Sequence, residues 1–329
     1  MKLASFAAGG ADRFGAATNS GNLIDLREAF RAMDGIAAGA ADTFPRNMVE
    51  FIEAGPALLQ KAQSALAFAA KNPGSLPVYA AGDVTWHAPV RRPSKILCVA
   101  NNNTAFQDTI MKGPETPAFF VKSAAALTGH NQPIELRPSY GVTYPEPEVG
   151  VIIGKKVKDI SPAEVLDAVF GYTVHNDITS ASMRETDTFH YREAMMRDGK
   201  KQIVESHASY AGRYKGSDTF APQGPWIVTK DELPDPHGLK VECWIAGELW
   251  YTDNTRNLKH LMPAVISFMS HYQTLLPGDI ISLGTAADPG GETGDKPQVV
   301  TDLNRLGGPV VVSIEGIGTL TNEVQKIAG

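Results

Sequence analysis

The sequence predicts a mainly β or α+β fold, in which a mixed sheet is surrounded by peripheral helices. Short apolar segments follow one another closely after residue 95, and few helical segments separate them. Parallel strands need a helical crossover between them, so this close spacing favours antiparallel or mixed pairing. The predicted strands cover residues 96–100, 118–122, 147–153, 172–176, 226–229, 239–245, 279–283 and 310–314.

Residues 1–90 have a different pattern and are predicted to form a small N-terminal α+β domain. Apolar residues recur there at helical spacing, and Pro45 is typical of a first helical turn. The polar, proline-containing stretch 91–95 is typical of a hinge, so residues 91–329 are predicted to form a second, larger domain. The predicted helices of the first domain cover residues 23–33, 45–52 and 56–70.

The composition is that of an ordinary globular protein, with 43% hydrophobic and 20% charged residues in a chain of 329. Thirty basic and 36 acidic residues give a net charge of −6, so neither nucleic acid nor a membrane is an expected partner. Cys98 and Cys243 lie in apolar segments without metal-ligand spacing and are predicted to be buried thiols. We therefore expect a cytoplasmic protein.

Three carboxylates form the candidate functional site. Glu146 and Glu148 begin an apolar strand, and the two-residue period places both side chains on one face. Asp177 ends a second apolar run, so pairing of the two strands would bring all three together. Oxygen ligands favour Mg²⁺ or Mn²⁺, with Ca²⁺ as a further possibility. The alternative is a solvated strand edge, with Asp177 capping a turn.

A polar segment of mixed charge, residues 183–214, follows Asp177 directly. Its sequence is typical of helical turns, on which His190 and Glu193 would lie three residues apart and touch. Two interpretations stay open at this point: a mobile lid over the metal, or a contact between subunits.

Five separated stretches resemble successive motifs of the fumarylacetoacetate hydrolase family, in the order and with the spacing of that family. The resemblance extends from about residue 93 to the C-terminus. The motifs are Pro-Glu-Pro-Glu-Val-Gly-Val-Ile-Ile-Gly (145–154), Gly-Tyr-Thr-Val-His-Asn-Asp (171–177), the stretch 215–226 that begins Lys-Gly-Ser-Asp-Thr-Phe, Leu-Leu-Pro-Gly-Asp-Ile-Ile (275–281) and Ile-Glu-Gly-Ile-Gly-Thr-Leu (314–320).

The resemblance implies a mixed β-roll catalytic domain over residues 91–329, usually dimeric, with Mg²⁺ or Mn²⁺ held by Glu146, Glu148 and Asp177. It also implies that Lys215 helps to hold a 2-oxo acid substrate. In such enzymes the metal acts as a Lewis acid that stabilises an enolate. Thr285 and Tyr144 are the other residues that we expect beside the substrate, a small 2-oxo acid or β-diketone.

The sequence departs from the family at the position of a catalytic histidine. Hydrolytic members carry that histidine after the first strand of this domain, and Phe106 takes its place here. We expect His190 and Glu193 to supply the missing base when the predicted lid closes. Asn101, Asn103 and Gln107 border the same place. They can bind the hydroxyls of a sugar-acid-like substrate, or they form a turn.

Three hypotheses follow from these residues. The leading hypothesis is a divalent-metal-dependent hydrolase that cleaves a C–C bond in an acylpyruvate-like 2-oxo acid or β-diketone. The second keeps the metal site and changes the reaction to that of a lyase, dehydratase, isomerase or decarboxylase, because Phe106 cannot activate water. The third is a binding member without catalysis. The retained cluster of repelling carboxylates argues against the third hypothesis.

Overall fold

A twelve-stranded mixed sheet organises the chain in the computed structural model, which describes residues 1–37, 40–105, 110, 113–285 and 301–328. The strands of this part are β1 (Lys2–Ala8), β2 (Ala11–Ala17), β3 (Leu23–Asp25), β4 (Val78–Tyr79), β5 (Thr85–Trp86), β6 (Ile96–Ala100), β7 (Ala118–Lys122), β8 (Leu127–Thr128), β9 (Ile134–Leu136), β10 (Thr143–Tyr144), β11 (Pro147–Ile153), β12 (Val169–Asn176), β13 (Thr179–Ser180), β14 (Thr188–Arg197), β15 (Lys200–Ser209), β16 (Ala221–Thr229), β17 (Lys240–Ile245), β18 (Glu248–Asn254), β19 (Ile280–Ser282), β20 (Val310–Ile314), β21 (Gly318–Asn322) and β22 (Val324–Lys326). The α-helices are α1 (Leu26–Met33), α2 (Met48–Glu53), α3 (Pro56–Lys71), α4 (Val165–Ala168), α5 (Ala181–Thr186), α6 (Met262–Tyr272) and α7 (Leu303–Leu306). Across these described ranges, no helix combines the length and apolarity needed to span a membrane.

The predicted fold class is confirmed, because the large sheet mixes antiparallel and parallel pairs. Ten of its strands follow the order β4-β3-β2-β1-β16-β12-β11-β19-β6-β7, and the other two, β5 and β8, pair with β1 and β16. Most pairs are antiparallel, whereas β19 runs parallel to β6. Soon after β7 the chain forms β8, which pairs with β16. This return brings the end of β7 close to the middle of the sheet, where the predicted carboxylates lie.

A second sheet, ordered β18-β17-β20-β21, packs with α6 over one face of the large sheet. Successive residues of β6 point into different cores, as expected for a central strand buried on both sides. Leu97 and Val99 face the core shared with this second sheet. Ile96 and Cys98 face the core shared with the N-terminal helices. Cys98 and Cys243 are both buried free thiols, as predicted.

The N-terminal residues share a sheet and a core with the rest of the chain. β1 pairs with β16, so the sheet continues across the predicted boundary at residue 90. Phe14, Phe30 and Phe51 pack in one cluster with Ile152 and Ile280. The division into two domains, residues 1–90 and 91–329, stays a prediction. Residues on either side of this boundary contact one another within a single core.

Two predicted helices begin later than expected. Helix α1 starts at Leu26, because the three residues before it extend the sheet as β3 and Asp25 accepts a hydrogen bond from the Glu28 N–H as the N-cap. Helix α2 starts at Met48, and Asn47 caps it in the same way. Pro45 therefore precedes the helix and does not begin it.

The prediction that residues 183–214 form turns of helix is wrong. Only α5 is helical there, and residues 188–209 form two antiparallel ten-residue strands, β14 and β15. We term this hairpin the arm. Its turn is Asp198-Gly199, and both residues have positive φ angles, 52° and 74°. Asp-Gly with this geometry is the two-residue turn that matches strand twist in hairpins.

His130 makes the stability of the protein depend on pH. Burial lowers the pKa of His130 from 6.5 to about 4, and its Nδ1 accepts a hydrogen bond from the Thr321 N–H at 3.1 Å. Between pH 6.5 and pH 4, His130 binds a proton in the unfolded chain but not in the folded chain. The contribution of His130 to the free energy of unfolding is therefore complete above pH 6.5 and is lost as the pH falls towards 4. In urea unfolding, lowering the pH from 6.5 to 4 should cost the unaltered protein about 2 kcal/mol through this group, a value reduced to allow for its partial exposure. His130→Gln should not show this loss. The same change at exposed His271 should leave the pH profile as it is in the unaltered protein.

Candidate active site

Antiparallel pairing of β11 with β12 brings the three predicted carboxylates together. Pairing places the start of β11 beside the end of β12, with Glu148 opposite His175. Glu146 lies just before β11 and Asp177 just after β12. The Asp177 N–H donates to the Glu146 carbonyl at 2.8 Å. Every residue of β11 is buried, so these carboxylates stand at the edge of a core.

Lys215 and Thr285 join the carboxylates into one cluster. The Lys215 ammonium pairs with Glu146 and donates to Asp177 Oδ2 at 2.6 Å. The Thr285 hydroxyl lies 3.1 Å from Glu146 Oε1 and 3.4 Å from Glu148 Oε1. The structure therefore brings five sequence-predicted residues together, although they lie as far apart in the chain as residues 146 and 285.

Burial and charge give the two completely buried carboxylates opposite properties. Burial, together with the charges of Asp177 and Glu146, raises the pKa of Glu148 to about 8. Burial also acts to raise the pKa of Asp177, but the ammonium groups of Lys122 and Lys215 outweigh it and lower that pKa. Neighbouring groups with such different pKa values are typical of functional sites.

Lys215 stays charged in this cluster. Burial acts to lower its pKa, but the carboxylates of Asp177 and Glu146 outweigh burial and raise that pKa well above its usual value. Phe120 covers the ammonium from one side, with its ring centre 5.0 Å from Nζ. A charged, partly covered ammonium can bind a carboxylate or an enolate oxygen, and it cannot act as a base.

Lys122 is a member of the site that the sequence analysis missed. It ends β7, is completely buried, and pairs with Asp177. Its ammonium also donates to the carbonyls of Phe220 and Ile178. The available signal was a lysine at the end of an apolar strand, two residues after Phe120 and therefore on the same face.

The donor set fits a hard divalent cation in chemical type. Glu146, Glu148 and Asp177 offer only oxygen ligands, and a cation would offset the repulsion that raises the pKa of Glu148. Within the described ranges, no three His, Cys, Asp or Glu side chains are arranged to hold a metal as they stand. The cation shared by Glu146 and Asp177 is instead the Lys215 ammonium. A bound metal would therefore require this ammonium to move away.

The predicted substrate-binding residues have different environments. Tyr144 is buried, and burial with the charge of Glu146 raises its pKa to about 12. Asn103 donates to Asp253 at 2.6 Å and to the Thr285 carbonyl at 3.2 Å, so it positions Thr285. Asn101 has a positive φ of 51° and lines a surface cavity with His260. Gln107 and Phe106 lie outside the described residues.

The predicted pairing of His190 with Glu193 is wrong. Both residues lie on β14, and a separation of three residues points them to opposite faces of a strand. His190 stands across from His207, with ring centres 6.0 Å apart. Glu193 accepts a hydrogen bond from the Ser206 hydroxyl at 2.5 Å. His190 and Glu193 therefore do not lie side by side, as they would on one turn of a helix.

His175 is a histidine that interacts with the site, and it is neutral. Burial, with the charge of Lys122, lowers its pKa to about 3. Its Nδ1 is hydrogen-bonded to the Gln223 side-chain amide at 2.8 Å. A histidine with so low a pKa is a poor general base near neutral pH.

Comparison with known proteins gives one matching family model and several similar sequences. The model of the fumarylacetoacetate (FAA) hydrolase C-terminal domain matches residues 95–325. A mitochondrial oxaloacetate tautomerase of Rattus norvegicus, Fahd2a, is 34% identical over 297 residues, which cover 88% of this chain and 85% of that protein.

Solved structures of two enzymes share the fold over nearly their whole length. Maleylpyruvate hydrolase from Sphingobium sp. SYK-6, in complex with manganese(II) and pyruvate, superimposes with a TM-score of 0.70 at 26% identity and covers 99% of both chains. The 2-hydroxyhepta-2,4-diene-1,7-dioate isomerase of Mycobacterium marinum has a TM-score of 0.65 at 26% identity, over 99% of this chain and 98% of that one.

Proposed function

Because the chain belongs to the fumarylacetoacetate hydrolase family, we propose that it is a divalent-metal-dependent enzyme that interconverts the enol and keto forms of a small 2-oxo acid. The observation that carries this proposal is the buried cluster of Glu146, Glu148 and Asp177 around a charged Lys215. The name of the similar rat protein, an oxaloacetate tautomerase, supports the same reaction class.

Each part of the cluster has a place in this reaction. Mg²⁺ or Mn²⁺ held by Glu146, Glu148 and Asp177 would supply a Lewis acid for the 2-oxo carboxylate group. Lys215 carries a positive charge for the substrate carboxylate or the enolate oxygen. Tautomerisation moves one proton between C3 and the oxygen on C2, and no bond between heavier atoms breaks. The reaction therefore needs a group that accepts and returns this proton, but, unlike hydrolysis, it needs no activated water molecule.

The residues at hand favour tautomerisation over C–C hydrolysis for a physical reason. Hydrolysis needs a water molecule that has lost a proton to a positioned base. Phe106 replaces the family histidine, His190 and Glu193 point to opposite faces of the arm, and His175 is kept neutral with a low pKa. None of these residues supplies that base.

Hydrolysis of an acylpyruvate-like C–C bond is the second candidate. It is favoured by the similarity in fold to the maleylpyruvate hydrolase that binds manganese(II) and pyruvate. Lyase, dehydratase and decarboxylase reactions would use the same metal and lysine, with less support from the similar proteins. The substrate within the class of 2-oxo acids and β-diketones, the choice of metal and a cytoplasmic location stay predictions.

One assay separates these reactions. We would follow the ultraviolet absorbance of the enol forms of oxaloacetate and of an acylpyruvate, with Mg²⁺, Mn²⁺ or a chelator, and identify the products by mass. Metal-dependent loss of the enol without cleavage is the expected result. Release of pyruvate and a carboxylic acid would establish the hydrolase instead, and no acceleration with any metal would refute both.

The arm histidine and glutamate should be dispensable for tautomerisation. We expect His190→Gln and Glu193→Gln to keep the metal-dependent rate within about twofold, because neither side chain joins the carboxylate cluster. A lid-based general base would instead lose about 10²-fold or more. Lys215→Met is the positive control, and the same assay should show its rate fall by at least about 10²-fold.

A further inference from the structure

The arm is held together mainly by the pairing of its own two strands. Within the part of the chain that the structure describes, β14 pairs only with β15, through ten successive residue pairs. An isolated two-stranded hairpin is only marginally stable in water. A further link between the two strands would therefore have a large effect on the order of the arm.

One face of the arm carries two histidines that stand directly opposite each other. His190 on β14 is the partner of His207 on β15, seven pairs away from the Arg197–Lys200 pair that closes the turn. The closing pair of a two-residue turn is hydrogen-bonded, and hydrogen-bonded and non-hydrogen-bonded pairs alternate along antiparallel strands. His190 and His207 therefore form a non-hydrogen-bonded pair. In such pairs the Cα atoms are only about 4.5 Å apart, so the side chains approach each other most closely.

The spacing of the two imidazole rings fits a single metal ion between them. The ring centres are 6.0 Å apart, and the ring planes are inclined by 34°. A bond from zinc to an imidazole nitrogen is about 2.0–2.1 Å long, which places each ring centre about 3.2 Å from the ion. Two rings on one ion can therefore be separated by up to about 6.4 Å. The observed separation lies within this limit, so both rings could bind one ion by rotation of their side chains, without movement of the strands.

The surroundings of the pair leave it accessible to a cation. Both imidazoles are exposed and line one surface cavity, and neither has a hydrogen-bond partner among the described residues. The next pair on the same face is Arg192 with Glu205, which form an ion pair at 3.0 Å. Because the charges of this ion pair cancel, it does not repel an approaching cation.

We propose that His190 and His207 form a separate metal site, which chelates one transition-metal ion such as Zn²⁺ between the strands of the arm. Imidazole nitrogens suit Zn²⁺, Cu²⁺ and Ni²⁺, whereas the oxygen ligands of the carboxylate cluster suit Mg²⁺ and Mn²⁺. The two sites therefore select different ions. Two protein ligands leave the other positions of a tetrahedral zinc ion to water, so the ion exchanges readily. While it is bound, it ties β14 to β15 and stabilises the arm.

Hydrogen exchange of the backbone amides in the arm, with and without Zn²⁺, tests this proposal. Excess Mg²⁺ is present throughout, and calorimetry gives the dissociation constant for Zn²⁺. A ligand that binds only the folded hairpin slows exchange by a factor set by the ratio of its free concentration to its dissociation constant. At a ratio of about ten, we expect the amides of β14 and β15 to exchange about tenfold more slowly than without Zn²⁺.

Four variants identify the ligands. His190→Gln and His207→Gln should each abolish the whole effect of Zn²⁺, because a single imidazole cannot link the strands. His207→Ala with Ala208→His keeps the number of imidazoles but moves one of them to the opposite face, so it should abolish the effect as well. His271→Gln removes an exposed histidine from α6 and should leave the effect as it is in the unaltered protein.

Three results would overturn the proposal. The first is exchange in the arm that does not respond to Zn²⁺, and the second is an effect that survives in the variant with the moved histidine. The third is a pair of single variants that each keep half of the effect, since the two imidazoles would then bind separate ions. Circular dichroism verifies that each variant is folded. The proposal goes beyond the proposed enzyme activity, and because exchange is measured without substrate, its failure leaves that activity unaffected.

Discussion

Glu148→Gln should remove metal-dependent activity and at the same time make the metal-free protein more stable. Glu148 is completely buried beside two other carboxylates, so its charge is useful only when a cation is bound. We expect the rate to fall at least about 10³-fold, which corresponds to about 4 kcal/mol of lost transition-state stabilisation. Mn²⁺ affinity, measured by calorimetry, should fall in parallel.

The stability gain has a defined pH dependence. The pKa of Glu148 is about 8 in the folded protein and 4.5 in the unfolded chain, so the folded state holds a proton that the unfolded state has lost. The contribution of this group is therefore complete below pH 4.5 and is lost as the pH rises towards 8. At neutral pH, urea unfolding of Glu148→Gln without metal should show a gain of about 2 kcal/mol.

The matched control is Glu185→Gln, at an exposed glutamate on α5. It should change neither activity nor stability by a measurable amount, because its carboxylate faces water. Full activity in Glu148→Gln, or a metal-free protein that becomes less stable, would show that this carboxylate does not have the role proposed here.

The candidate site could be predicted from local pattern wherever its geometry follows from one strand pair. Glu146, Glu148 and Asp177 flank two apolar runs whose antiparallel pairing is the simplest arrangement, so their convergence was predictable. Lys122 could not be placed in this way. Its contacts join residues 122, 177 and 220, which come together because β12 pairs with β16 and β8 returns to β16.

The arm was mispredicted because neither of its faces is buried in the chain. Strand prediction depends on alternation between a buried and an exposed face, and the residues of β14 and β15 are all exposed or half-buried. The segment was instead interpreted as turns of helix, on which His190 and Glu193 would lie close together. The overlooked signal was Asp198-Gly199, the turn pair that begins a hairpin.

Lys122→Met should be among the most destabilising single changes in this protein. It leaves the buried carboxylate of Asp177 with one counter-charge in place of two, and it removes the ammonium donor from the Phe220 carbonyl. Breaking a buried ion pair from one side typically costs about 3–5 kcal/mol. Because Lys215 still contacts Asp177, we expect a loss of about 3 kcal/mol in urea unfolding of the metal-free protein.

A double-mutant cycle tests whether this loss comes from the ion pair. In the Lys122→Met background, Asp177→Asn removes the uncompensated charge. The double variant should therefore be more stable, by about 1–3 kcal/mol, than the sum of the stability losses of the two single variants predicts. Strict additivity would mean that Lys122 acts by filling space. Lys326→Met, at an exposed lysine on β22, should leave stability unchanged. Saturating Mn²⁺ should also restore part of the loss, because a cation bound to Asp177 replaces the missing ammonium.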